Sequence, residues 1–367
     1  MSSSIGSRVR VTVFGESHGE AIGCVLDGLP AGEALDMDAI ALQQARRAPG
    51  QDATATPRKE RDLPRIVSGV LNGKTTGAPL TVLFANENTR SGDYAAQAAL
   101  PRPGHADFTA YKRYGGHHDG RGGGHFSGRL TAPLVFAGAV CRGILQRRGI
   151  VIGAHIARIA DVADAPFDAA ALTVQTLETL SVSSFALLNP AQEGPMREAV
   201  AAARAQADSV GGVIEVAAVG LPAGLGSPMF EGVENRLAPL FFGIPAVKGV
   251  EFGDGFALTG LRGSEANDAF VYAPDGRVVT KTNHNGGILG GITTGMPLVA
   301  RLAIKPTPSI GRAQETVNLL TGQNETLCIK GRHDPCIVPR AVPVAEAVLA
   351  IGLLDLLETE SPAAHRE

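Results

Sequence analysis

Three histidines in this chain sit in short, rigid, charged contexts: His18 in Gly15-Glu16-Ser17-His18-Gly19, His105 in Arg102-Pro103-Gly104-His105-Ala106-Asp107, and His333 in Arg332-His333-Asp334-Pro335-Cys336. Imidazole titrates near neutrality and neighbouring charges tune it, so this pattern suits proton transfer. His18 follows a β-branched run and is flanked by glycines, as befits a side chain at the mouth of a site. Arginines occur in the same or similar segments: Arg46 and Arg47 before the Pro49-Gly50 stop, Arg102, Arg121, Arg129, Arg332, and Arg340 after Val-Pro. Rigid settings of this kind favour bidentate grips on carboxylate or phosphate, and together they imply a ligand with several negative charges. Lys305-Pro306-Thr307-Pro308-Ser309 adds an ammonium and two hydroxyls fixed between prolines, a second candidate phosphate grip.

Glycine is concentrated where such a ligand would lie. Residues 114–128, YGGHHDGRGGGHFSG, hold seven Gly, and residues 282–295, TNHNGGILGGITTG, hold five. Without a Cβ, the backbone N–H groups of these stretches can approach an anion closely. Familiar alternatives lack their signatures: there is no G-x-x-x-x-G-K-[ST], no G-x-G-x-x-G between a strand and a helix, no H-E-x-x-H and no C-x-x-C. No resident metal is expected. The 33 Lys plus Arg against 36 Asp plus Glu leave a net charge of -3, so no global positive field attracts nucleic acid, and an anion must be held locally.

The elements that must position these residues are legible as alternating signals. Strands are predicted at 8–14, 65–71, 80–86, 151–158, 213–219, 247–252 and 297–304. Helices are predicted from the Asp36 cap to Pro49-Gly50, from the Ser127 cap to Gly149, from about Pro195 through MREAVAAARAQA, and over AVPVAEAVLAIGLLDLLET. Two fragments recur in the same order. Gly28-Leu29-Pro30-Ala31-Gly32 returns as Gly220-Leu221-Pro222-Ala223-Gly224, and Thr75-Thr76-Gly77-Ala78-Pro79-Leu80 returns as Thr293-Thr294-Gly295-Met296-Pro297-Leu298. This repetition points to a duplication, with halves of about 1–150 and 151–367. Strict βαβ alternation is absent, so the expected fold is α+β: two related antiparallel sheets with helices packed between them. At 367 residues, either two units of roughly 150 or one large domain is ordinary. The four cysteines, Cys24, Cys141, Cys328 and Cys336, read as buried free thiols. The opening residues lack the apolar run of a signal peptide, and the glycine-rich 282–300 window is unsuited to spanning a bilayer, so a cytoplasmic protein without membrane partners is expected.

Taken together, the His18, Arg46-Arg47, Arg102-to-Asp107, Gly122-Gly123-Gly124, GGILGGITTG, Lys305-Pro306-Thr307, Arg332-to-Cys336 and Pro339-Arg340-Ala341-Val342-Pro343 motifs resemble those of the chorismate synthase family, in order and over nearly the whole chain. The resemblance implies a single domain over 1–367, an internally duplicated β-α-α-β sandwich with a helical core between antiparallel sheets, and a homotetramer. It implies conversion of the anionic small molecule 5-enolpyruvylshikimate 3-phosphate to chorismate and phosphate, the final step of the shikimate pathway in aromatic amino acid biosynthesis. Reduced FMN would serve as electron donor without net redox change, with NADPH as candidate reductant. Carried over, His18 would protonate the reduced flavin, His105 would assist the leaving phosphate, and Asp334 would accept a proton. Arg47, Arg102 and Arg340 would hold substrate, and Arg47 is also the NADP-associated position. FMN would be held by His125, Phe126, Ser127, Pro245, Ala246, Gly290, Lys305, Pro306, Thr307, Pro308, Ser309 and Arg332. The commoner family sequence after the triple glycine is Arg-Ser-Ser-Ala-Arg-Glu-Thr, where this chain has His125-Phe126-Ser127-Gly128-Arg129-Leu130-Thr131. Position 53 is Ala where many relatives carry an arginine linked to nicotinamide cofactor binding.

Overall fold

The computed structural model describes residues 3–50, 62–86, 99–329 and 334–360. Apolar alternation builds a first sheet from β1 (Ser4–Ile5), β2 (Arg10–Gly15), β3 (Ala21–Asp27), β4 (Arg65–Ser68) and β7 (Leu80–Ala85), ordered β1-β2-β3-β7-β4. The second contains β8 (Val151–Ile159), β9 (Val162–Ala163), β10 (Gly212–Val219), β11 (Val247–Phe252) and β16 (Leu298–Ile304), ordered β11-β16-β10-β8-β9. Every pairing is antiparallel. Short hairpins decorate the sheets: β5/β6 (Val70–Leu71, Lys74–Thr75), β12/β13 (Phe270–Tyr272, Val278–Thr280), β14/β15 (Ile288–Leu289, Ile292–Thr293) and β17/β18 (Ala313–Val317, Asn324–Cys328).

The helices are α1 (Met37–Arg47), α2 (Asp107–Tyr114), α3 (Thr131–Arg147), α4 (Val174–Leu180), α5 (Glu193–Ala205), α6 (Val233–Phe242), the single turn α7 (Gly263–Ala266) and α8 (Val338–Glu360). Helix α3 packs on α8, with the first sheet against α3 and the second against α8, so the layers run sheet, helix, helix, sheet. Both central helices are therefore apolar on several sides. By length and hydropathy the Gly128–Arg147 segment could cross a membrane, yet 67% of its most apolar window is buried among these layers.

The two sheets repeat one another in detail. In each, the order β2-β3-β7-β4 is matched by β8-β10-β16-β11. Thr75 Oγ1 donates to Pro30 O at 2.6 Å and accepts from Glu33 N at 2.9 Å, while Thr293 Oγ1 donates to Pro222 O at 2.7 Å and accepts from Leu225 N at 2.9 Å. Gly28 and Gly220, with φ of 79° and 86°, occupy the same turn, where an added Cβ would lie about 2 Å from a backbone carbonyl oxygen. The N-terminal strand is tied to the last helix: Asp355 Oδ1 accepts from Ser7 N at 3.0 Å, Arg8 N at 2.7 Å and Val9 N at 2.9 Å.

Several expected boundaries change. The 65–71 run breaks at an irregularity near Ser68, and β3 is a strand in its own right. Ser127 caps only a 3-10 turn (Gly128–Leu130) before α3 begins. Helix α6 escapes sequence reading because Pro239 lies inside it. Cys24, Cys141 and Cys336 are buried, but Cys328 is exposed on the edge of the β17/β18 hairpin. Burial and the nearby Asp355 push the Cys141 thiol up to about 12, which suits an unreactive core residue.

In the second sheet, His155 lies buried between Asp164 (Nδ1 to Oδ2, 3.0 Å) and Glu215 (Nε2 to Oε2, 2.9 Å). Burial opposes the imidazolium, but the two carboxylates outweigh it and raise His155 above its ordinary 6.5. The folded chain thus holds this proton more tightly than the unfolded chain. Its contribution is complete below pH 6.5 and is lost as pH climbs through the raised value. As pH rises above 6.5, urea-unfolding free energy is expected to fall by at most about 1.4 kcal/mol per unit, one proton's worth. His155→Asn flattens that slope; equal slopes in parent and variant would remove this triad as its source.

Candidate functional site

A cavity of about 600 Å³ opens where the ends of α1, α6 and β16 meet the start of α8 and the 104–131 segment. Its wall brings together Arg47, His105, His125, Phe126, Ser127, Pro245, Ala246, Lys305, Thr307, Pro308, Asp334 and Arg340, residues scattered over nearly 300 positions of sequence. The wall carries four permanently cationic side chains, Arg47, Arg129, Lys305 and Arg340, against one carboxylate, Asp334. A half-enclosed site with that imbalance attracts a polyanion despite the negative net charge.

The glycine run explains how the histidines meet. Gly122, Gly123 and Gly124 all have positive φ, 60°, 89° and 53°. A Cβ on Gly122 would lie 2.1 Å from His18 Cε1, and one on Gly123 would lie 3.2 Å from His105 Nε2. The loop therefore threads between the two imidazoles, touching both with bare backbone. Ser17 N donates to Gly124 O at 3.1 Å, and Asn86 Nδ2 donates to Glu16 O and Gly19 O, both at 2.9 Å, which seats the His18 turn against this loop. His18 itself stands behind Gly122, buried, rather than on the cavity wall.

On the opposite side of the loop, Asp107 Oδ1 accepts from His105 Nδ1 at 2.6 Å. Arg102 grips the same carboxylate through Nε at 2.7 Å and Nη2 at 2.8 Å and reaches Ser309 Oγ at 3.3 Å. Burial works against charge on Asp107, but the Arg102 and His105 hydrogen bonds prevail and hold it well below the usual carboxylate range. Arg102 and Ser309 thus form a layer behind His105 and do not line the cavity. Pro306 is likewise set back, near Gly211.

Adjacent arginines part ways at the end of α1, because successive helical residues project roughly 100° apart. Arg47 lines the cavity and pairs with Asp62 at 3.0 Å, whose other oxygen meets Arg129 Nη1. Arg46, expected as a ligand grip, faces the helical core instead: Nη1 meets Glu346 Oε2 at 2.5 Å and Nε donates to Ser183 O at 2.8 Å. Arg121 is a half-exposed partner of Asp119 at 2.7 Å rather than a site residue. Arg340 donates to Asp334 Oδ2 at 2.6 Å and to Arg47 O at 3.0 Å, linking three of the expected residues. Lys305 Nζ donates to Gly104 O, and Thr307 Oγ1 donates to Asp334 O at 2.7 Å.

His125 donates from Nδ1 to Gly15 O at 2.8 Å and approaches Ser3 Oγ at 2.9 Å through Nε2, so the ring pins the glycine loop to the first sheet. Ala246 adopts φ 74°, an uncommon conformation for a residue with a Cβ, at the α6–β11 turn on the wall. Gly290 is not brought to the cavity; it lies in the β14/β15 hairpin, whose Gly291 abuts Ser227 and Gly232. Arg332, His333 and Ala53 lie outside the described residues. Asp62 and the apolar wall of Phe242, Ile244, Ile337, Ala341 and Val344 were not anticipated. For the last three, the i, i+4, i+7 spacing at the start of α8 was the available signal. The arrangement can bind anions through its four cations, accept an apolar body against its aliphatic and aromatic wall, and offer His105 and Asp334 for proton transfer, with His18 behind the loop.

A family model described as chorismate synthase matches residues 9–357. A chorismate synthase of Lancefieldella parvula is 45% identical over 97% of this chain and 96% of its own. One of Pyrococcus abyssi is 48% identical over 96% of each. A crystal structure described as that of chorismate synthase superposes with a TM-score of 0.76 at 29% identity, covering 96% of this chain and 93% of the other.

Proposed function

Since the chain belongs to the chorismate synthase family, we propose that it performs the anti-1,4-elimination of phosphate from 5-enolpyruvylshikimate 3-phosphate to give chorismate, in the aromatic branch of biosynthesis. The observation that carries this reading is the cavity with four cations to one carboxylate, divided from His18 by a side-chain-free loop. Two carboxylates and a phosphate on the substrate call for that excess of positive charge.

Reduced FMN fits the same cavity. Phe126, Phe242, Ile244, Ile337 and Val344 offer an apolar bed, Lys305, Thr307 and Ser127 offer phosphate partners, and the left-handed glycines leave open the space that side chains would fill. When bound, it supplies transient electron density that eases departure of the phosphate. The chain's own residues do the rest. Arg47 and Arg340 orient the substrate carboxylates and phosphate. His105 gives a proton to the departing phosphate oxygen. Asp334, held by Arg340, accepts the proton removed from the ring. His18, which stands behind the loop, would protonate the reduced flavin. NADPH as reductant, a cytoplasmic location and a homotetramer belong to the same proposal; the last is supported by Phe230, Phe256 and Tyr272, each more than 80% exposed.

Anaerobic assay with photoreduced FMN tests the reading. Many chorismate and phosphate molecules per flavin are expected; one or none would defeat it. An NADPH arm run alongside reports the source of electrons.

A further inference from the structure

We infer that Asp107 is a positioning residue for His105, fixing which imidazole nitrogen faces the reacting phosphate. The inference deepens the proposed function and rests on it. Asp107 opens α2, where unsatisfied backbone N–H groups favour a negative charge. Its Oδ1 takes His105 Nδ1 at 2.6 Å and Arg102 Nη2 at 2.8 Å, and its Oδ2 takes Arg102 Nε at 2.7 Å and Arg102 N at 3.0 Å. Arg102 is in turn steadied by Ser309 Oγ. The carboxylate is therefore clamped from two sides and cannot turn away from the ring.

Arg102 Nη2, which can only donate, also lies 3.0 Å from His105 Nδ1, but the carboxylate at 2.6 Å is the nearer partner and only accepts, so the proton of neutral His105 sits on Nδ1. That leaves Nε2, the end against Gly123, as the atom that exchanges protons. Among the described residues, Nε2 makes no hydrogen bond. When the ring is charged, Asp107 stabilises the imidazolium through the same contact. As the carbon–oxygen bond to phosphate breaks, the phosphate oxygen keeps the electron pair and takes the Nε2 proton. His105 is left neutral with Nδ1–H still on Asp107, and Asp107 is never protonated. A histidine oriented by a carboxylate on its far nitrogen is a recurring solution to this requirement.

The test uses the full chain with 15N-labelled histidine. In the parent protein the neutral His105 ring is expected as the Nδ1–H tautomer, and Asp107→Asn shifts it towards Nε2–H. With reduced FMN and substrate, Asp107→Asn is expected to lower kcat about 10- to 100-fold with little change in KM. Asp107→Glu, which keeps the charge, retains the tautomer and loses less. In a His105→Ala background, adding Asp107→Asn costs no further turnover, because its effect on the reaction is relayed through that ring. A further loss there, an unchanged rate in Asp107→Asn, or an Nδ1–H signal indifferent to residue 107 would overturn the inference. A parent protein that shows the Nδ1–H tautomer but makes no chorismate would instead overturn the proposed function.

Discussion

Gly122→Ala is expected to lower turnover by about 10²-fold while leaving the fold intact. The new methyl would lie 2.1 Å from His18 Cε1, 2.2 Å from its Nδ1 and 2.8 Å from Ser17 Oγ. Either the ring or the loop must move by more than 1 Å, and displacements of that size at a reacting group cost about two orders of magnitude. The left-handed backbone at φ 60° adds a stability penalty of about 1–2 kcal/mol for any residue with a Cβ. Gly120, with φ −81°, sits in the same loop without either constraint. Gly120→Ala is expected to stay within about twofold of the parent rate, a change worth well under 1 kcal/mol. Steady-state kinetics on the pair decides the matter: similar rates for both variants would mean that loop flexibility, not the wedge between His18 and His105, governs the site.

Glu346→Ala is expected to be the most destabilising single change, by about 3–5 kcal/mol, because breaking a buried ion pair strands the surviving charge. Glu346 is 2% exposed and meets Arg46 through both oxygens, at 2.5 and 3.2 Å. Ala154 N donates to it at 3.0 Å, and Arg142 Nη1 lies 3.5 Å away. Removing the carboxylate leaves Arg46 with only Gln43 Oε1 and carbonyl acceptors inside the helical layer. Glu346→Gln keeps an acceptor for Ala154 N and should lose less. Urea-unfolding midpoints measure both; a loss under about 1 kcal/mol for Glu346→Ala would show that water reaches Arg46 and compensates it. Because Arg46 is remote from ligand in this arrangement, the KM of the folded fraction should not change.

Much of this was legible in the residues. The echo of Thr75 by Thr293 marked two turns that make the same hydrogen bonds, because a Thr hydroxyl that closes a turn carries its context with it. Motif order pointed to His105, Asp334 and Arg340, which share the cavity wall, and to His18 just behind it: the two histidines lie in Gly- or Pro-bounded loops, while Arg340 is set in the first turn of α8. Where reading failed, the deciding contact came from far along the chain. Arg46 and Arg47 are indistinguishable by type, and only Glu346, 300 residues later, separates them. Asp62 sits among charged residues with no motif to single it out, yet it is buried between Arg47 and Arg129. Arg102 looked like a grip on substrate phosphate, but the short loop to Asp107 spends its donors internally.

The tether between Asp355 and residues 7–9 sets an order of assembly. A ribosome releases the N-terminal strand hundreds of residues before the carboxylate that satisfies its three amides. Those amides therefore wait without their acceptor until α8 has emerged, and the two halves close on each other only after that. Nascent chains truncated before α8 should need chaperone protection that the finished chain does not.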